Sequence, residues 1–160
     1  MLVVKQVTFG SRGTHPIVFS SNALFNAEKV TGLSIERLAV MLQLGRAGFQ
    51  YCQMLLWAAL EAGRMRYKTR SEPFTIEEVG DMLDELGGIA HAFQPEDDGF
   101  DAVEENGVAK KVQTRIPQEA HPLGKAFLEA WTSAFPQPRP LEEGMTRPPE
   151  TADVPVGTNS

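Results

Sequence analysis

The chain has 160 residues, 42% of them hydrophobic and 22% charged, the balance of an ordinary soluble globular protein. A single cysteine, Cys52, rules out an internal disulfide, and no apolar run nears the roughly 20 residues of a membrane span. The net charge of −6 sits in the rear: residues 1–95 carry nine basic and nine acidic side chains, residues 96–160 six and twelve. A balanced body with an acidic rear argues against nucleic acid as a partner, because phosphate contacts need clustered cations. The opening MLVVKQVTF shows no secretory pattern, so a reducing, cytoplasmic setting is expected.

Residues 2–9 alternate, with Leu2, Val4, Gln6 and Thr8 on one face and Val3, Lys5, Val7 and Phe9 on the other. Residues 10–13 (GSRG) are a turn signal, and residues 15–19 resume a β-prone run, which predicts a hairpin with a loop of about four to six residues. Pro16 suits an edge position. A lone hairpin is marginal, so this one is expected to lean on helices. Ser20 or Ser21 caps a helix over residues 22–31, with Ala23, Ala27 and Val30 at helical spacing and Gly32 as a left-handed stop. Ser34 caps a second helix bearing Ile35, Leu38 and Leu42 on one stripe, and Gly45 and Gly48 predict a break near residue 45.

The strongest helix signal covers residues 46–63. Phe49, Cys52, Leu56, Ala59 and Leu60 form one stripe, widened by Tyr51, Leu55, Ala58 and Ala62, so a central helix buried on most sides is predicted. The narrow remaining face holds Arg46, Gln50, Gln53, Glu61 and Arg64, with Trp57 in its middle. A large apolar group there is either a partner contact or core covered by the hairpin or the last helix. Trp57, with Gln50, Gln53, Met54 and Glu61, is the candidate partner-binding patch.

Residues 64–70 (RMRYKTR) carry four cations and read as a solvated basic connector, with an anionic partner as the rival reading. Thr75 and Glu78 form a capping box, in which the hydroxyl accepts from the N3 amide and the carboxylate reaches back. Ile76, Val79, Leu83 and Leu86 follow at helical spacing, and Gly87 and Gly88 end the helix. Its other face, Glu77, Glu78, Asp81, Asp84 and Glu85, is expected to be solvated acid near a helix N-terminus rather than a metal or acid–base cluster. Residues 89–117 are poorly patterned, with turn signals at 95–99 and 104–107. A last helix is predicted over 119–134, with Leu123, Phe127, Ala130 and Ala134 on one side and Pro122 tolerated in its first turn. From Pro136 onward there are six prolines in 25 residues and almost no large apolar groups, the composition of a disordered tail.

The expected fold is mainly α, a short N-terminal β-hairpin packed on a small helical bundle. Residues 1–88 form the hairpin-and-helix unit, 89–135 an acidic linker with a C-terminal helix, and 136–160 a disordered Pro-rich tail. Little chemistry is signalled. His15, His91 and His121 lie far apart in sequence without metal-ligand spacing. Cys52, on an apolar stripe, reads as a small buried hydrophobe, since reactive thiolates want an electropositive setting. The glycines fit turns and caps rather than a phosphate loop. Residues 97–101 (DDGFD) lack the acid spacing of a calcium loop. A binding module is expected, with no catalytic residue, metal or cofactor.

One arrangement is more specific than its parts. A hairpin leads into SNALFNAEKVTGLSIERL, then a buried helix ending LLWAALEAG, then the capping box of FTIEEVGDMLDELGG. This order resembles the tail assembly chaperones of long-tailed phages and gene transfer agents, and most of all the gene-transfer-agent-type family also labelled tail tube protein. The likeness spans residues 3–88. It rests on the helix over 24–33 with its Thr31–Gly32 turn, the block over residues 56–60, and residues 75–80. It implies a cytoplasmic protein of the bacterial host that coats the long helical tape-measure protein, keeps it soluble, associates with itself along that client, meets tail tube subunits and is absent from the finished particle. A structural tail tube component and a small helical adaptor or regulator are the alternatives.

Overall fold

A computed structural model describes residues 1–135 of the chain. Strands β1 (Lys5–Thr8) and β2 (Thr14–Ile17) pair antiparallel, from Lys5 opposite Ile17 to Thr8 opposite Thr14, around a 3-10 turn at Gly10–Arg12. The alternation holds over residues 6–9, where Val7 and Phe9 are buried while Gln6 and Thr8 face water; ahead of the strand it reverses, with Leu2 and Val4 packed against the core and Val3 exposed. Helices α1 (Ser21–Thr31) and α2 (Ile35–Gln43) start at their serines. Ser20 Oγ accepts from the Ala23 amide at 3.3 Å and Ser34 Oγ from the Arg37 amide at 3.2 Å, each satisfying one of the orphan donors of a helix start. Gly32 closes α1 in the left-handed conformation, with φ 73.

Helix α3 (Phe49–Tyr67) runs further than its sequence signal. It passes through Gly63 and stops at Lys68, itself left-handed with φ 52. Gly63 therefore serves packing. A Cβ there would collide with the carbonyl of Pro16, so this is where the backbone of β2 lies against the helix. One turn earlier the Val18 amide donates to the Ala59 carbonyl at 3.3 Å. The run of Ala58, Ala59, Ala62 and Gly63, all buried, is what lets a strand approach so closely.

Helix α4 (Ile76–Asp84) buries Val79, Met82 and Leu83 and is followed by the single turn α5 (Ile89–Ala92). The segment read as an unpatterned linker then forms a second antiparallel hairpin, β3 (Phe100–Glu105) with β4 (Val108–Gln113). Every residue in both strands is exposed, so no apolar alternation marks the hairpin in the sequence. Its turn was legible: Asn106 and Gly107 both take positive φ, 53 and 75, as two-residue hairpin loops require.

Helix α6 (Pro122–Ser133) begins three residues later than expected, with Pro122 in its first turn. Leu123, Phe127, Ala130 and Trp131 enter the same core as the first hairpin and α3. The Phe127 ring meets Phe19 edge-on at 5.3 Å and Phe93 at 5.2 Å, and Trp131 meets Phe19 at 5.1 Å. An ion pair from Lys5 to Glu129 at 2.9 Å ties β1 to the outside of α6. Residues 119–135, expected to follow a separate 1–88 unit, thus complete the core of that unit. Six helices and two small hairpins make the chain mainly α over the described residues. The disordered tail expected over 136–160 lies outside them. No helix among the described residues is long and apolar enough to cross a membrane.

The contact at Gly63 gives a counter-intuitive expectation. Glycine inside a helix ordinarily costs about 0.5–1 kcal/mol relative to alanine. Gly63→Ala should nevertheless destabilise the protein, by about 1–3 kcal/mol, because the added methyl forces β2 off α3. Chemical denaturation should show a lowered midpoint with an unchanged slope.

Candidate functional site

The patch predicted around Trp57 is largely covered. The cover is neither the first hairpin nor α6 but the segment leading into α4. The Trp57 indole Nε1 donates to the Phe74 carbonyl at 2.7 Å, and Gln53 Nε2 donates to the Ile76 carbonyl at 2.9 Å. Glu61, only 7% exposed, holds Arg64 through two bonds of 2.8 and 3.0 Å and accepts the Phe74 amide at 2.6 Å. Gln53, Trp57 and Glu61 are therefore committed to folding residues 70–76 onto α3. Gln50 stays exposed and Met54 half-buried.

The same segment absorbs half of the basic run. Arg70 grips Glu78 with bonds of 2.8 and 3.2 Å and lies over the Phe74 ring at 4.2 Å. Glu78 is held below the ordinary carboxylate range, first by Arg70 and further by the Thr75 amide, so the capping box acquires an arginine. The solvated connector expected over 64–70 is thus corrected: α3 occupies its first half, and Arg64 and Arg70 bind carboxylates within the chain.

An open apolar surface lies elsewhere, at the other end of α3. The break at residues 44–48 turns α2 away from α3 and leaves a cleft of about 590 Å³ between this corner, α5 and the start of α6. Leu42, Phe49, Phe93, Phe127 and Leu128 line it, with Lys125 and Glu96 at its polar edges. Phe49 is 52% exposed and Leu128 54%, and Leu44 beside the corner is 59% exposed. Phe49, expected in the buried stripe, sits in the first turn of α3, ahead of the residues that pack beneath the hairpin. The glycine-flanked break between two apolar helices was its sequence signal.

Cys52 also lines the cleft. Burial pushes its thiol up to about 11, and Sγ points to the Ala47 carbonyl at 4.0 Å, so it is a protonated apolar group at neutral pH, as its place on the stripe predicted. Two of the three histidines, distant in sequence, meet where α5 faces the start of α6, beside the cleft but not in its lining. The His91 and His121 rings are 5.2 Å apart, edge to face. His121 caps α6: its Nδ1 accepts the Leu123 amide at 3.0 Å, which requires Nδ1 to be unprotonated. Among the described residues no group of three or more His, Cys, Asp or Glu could hold a metal ion. No known family model, no curated protein and no solved structure matches the chain.

Two outcomes follow from this arrangement. Trp57→Ala should cost about 3 kcal/mol of stability, the low end for a truncated core tryptophan, since it uncovers α3 and strands the Phe74 carbonyl. Partner binding by the fraction that stays folded should be unchanged.

The second concerns pH. Burial first, and then the neighbouring His91, lower the His121 pKa from its ordinary 6.5. A proton on Nδ1 would also face the Leu123 amide donor and place a cation at a helix N-terminus. The charged groups nearest in the chain are Glu119 and Lys125, and His91 is the titratable group facing it from α5. The cap's contribution is present above pH 6.5 and is lost as pH falls through the lower folded value. Between pH 7.5 and 5.5 the wild type should lose up to about 1 kcal/mol more stability than His121→Asn, whose amide caps without titrating. Thermal melts of both proteins at the two pH values measure the difference.

Proposed function

We propose that this chain is a holding chaperone of the phage or gene-transfer-agent tail assembly type, which seats an apolar helical segment of a tape-measure protein in the cleft between the α2–α3 corner, α5 and α6. The observation that supports the reading is the cleft itself. Two large apolar side chains, Phe49 and Leu128, stand half-exposed at its rim, and solvated apolar groups gathered at one groove mark a contact surface. Helix ends and faces frame it, the setting in which an amphipathic helix docks through side chains one turn apart. Lys125 and Glu96 at its edges offer both signs of charge to the polar flank of such a helix. Binding of this kind is stoichiometric and calls for no turnover.

Co-expression with a cognate tape-measure protein should move that client from the pellet to the supernatant, in a complex whose yield saturates with chaperone dose. Phe49→Asp together with Leu128→Asp should weaken the complex by at least about 2 kcal/mol, roughly 30-fold, as loss of a contact hot spot does. Both residues are more than half exposed, so the melting temperature should hardly move. A client that stays equally insoluble with the wild-type chain would sink the chaperone reading. A client bound equally well by the double variant would move the contact off this cleft.

A further inference from the structure

The β3–β4 hairpin takes no part in the cleft, and its form is not that of a simple connection. Its twelve residues are exposed on both faces, yet the ribbon is braced at its base. Arg115 holds Asp97 with two bonds of 2.9 and 3.1 Å and reaches Asp101 at 2.6 Å. Asp97 is drawn down to about 2 by Arg115, so the brace stays ionised throughout the neutral range. Asp97 and Gln118 exchange backbone bonds of 3.0 and 2.8 Å, and the Gly99 carbonyl accepts the Thr114 amide at 2.8 Å. The two-residue turn closes the far end. A two-stranded ribbon is marginal in water by itself. This one is held in shape from below and keeps both of its edges unpaired among the described residues.

The charges on those edges are segregated. β3 carries Asp101, Glu104 and Glu105 and no base; β4 carries Lys110 and Lys111 and no acid. We propose that the hairpin is a docking arm that joins copies of this chain head to tail, the basic β4 edge of one copy pairing antiparallel with the acidic β3 edge of a second. Within one chain Lys110 already bonds Glu105 at 3.1 Å across the ladder, and Lys110 lies opposite Val103. A second copy continuing the same antiparallel order repeats that pairing of lysine with acid across the new seam. It also extends the face carrying Val103, Val108 and Val112, each at least 40% exposed. Symmetric pairing is disfavoured, since β3 against β3 opposes acids and β4 against β4 opposes lysines. The charge pattern thus selects one occupant and one polarity. A head-to-tail contact of this kind is open-ended, giving a row of copies rather than a closed pair. The argument stands on the hairpin alone and does not need the cleft or its client.

The test uses the full chain. Sedimentation velocity should show mass rising with concentration at low salt and falling back at high salt. Replacing residues 100–113 with a short Gly-Ser loop, or combining Lys110→Glu with Lys111→Glu, should leave a monomer whose helical circular dichroism spectrum is retained. Cross-linking then separates a lost seam from a misfolded arm. In a Cys52→Ala background, mixing Val103→Cys protein with Lys110→Cys protein should yield a disulfide-linked heterodimer under mild oxidation, while neither variant links to itself. A wild type that is monomeric throughout overturns the proposal. So does association that survives removal of the arm, or cross-linking of each cysteine variant with itself.

Discussion

The structure turns on the close approach of a strand to a helix. Where β2 crosses α3, the carbonyl of Pro16 occupies the space a side chain would take at position 63, and the Val18 amide reaches the Ala59 carbonyl. This contact fixes the hairpin on the helix at backbone distance, so Ile17, Val18 and Phe19 are wholly buried. Phe19 then provides the ring against which Phe127 and Trp131 pack edge-on, and Lys5 reaches Glu129 from the neighbouring strand. The position of α6, and with it one wall of the cleft, follows from small residues on a different helix. A hairpin that would be marginal alone thereby becomes the platform for the C-terminal helix.

The opposite flank of α3 is organised by polar groups. Glu61 is a buried carboxylate, and such a group is tolerated only when its hydrogen-bonding capacity is filled. Arg64 and the Phe74 amide fill it. Trp57 and Gln53 bind the carbonyls of Phe74 and Ile76, so three successive turns of α3 hold one extended strap in register. Arg70 completes it by stacking on Phe74 and binding Glu78. The helical wheel, which shows these residues as a polar face, cannot distinguish water from a backbone strap, because either partner satisfies the same donors and acceptors.

That ambiguity explains much of what was legible in the sequence and what was not. The serine and threonine caps, the Gly32 stop and the apolar stripes are local, and each appears where its chemistry predicts. Gly63 has the same composition as a stop but a tertiary reason to exist, and no local rule separates the two. Phe49 belongs to the correct stripe, yet the break before it leaves that turn without a covering element. The second hairpin has no buried face, so period-two patterning, the main strand signal, is absent, and only Asn106 and Gly107 give it away. His121 is not legible as a helix cap, since histidine is not among the usual capping residues; its Nδ1 does the work of a serine oxygen.

These features divide the molecule into a locked end and an adaptable one. The C-terminal half of α3 lies beneath β2 on one side and the strap on the other, with backbone contacts and a buried ion pair holding both. Its N-terminal turn starts from Gly48 without a side-chain cap, follows a glycine-containing break and carries a half-exposed phenylalanine. The facing wall is a one-turn helix and the first turn of α6, whose cap is an imidazole. Segments with few buried contacts and weak caps open at the lowest free energy. The cleft is therefore built where the fold yields most easily, while the scaffold that positions it is anchored at the far end of the same helix. For the docking of apolar helical segments that we propose, this placement lets the walls adjust without disturbing the β2–α3 contact on which the fold depends.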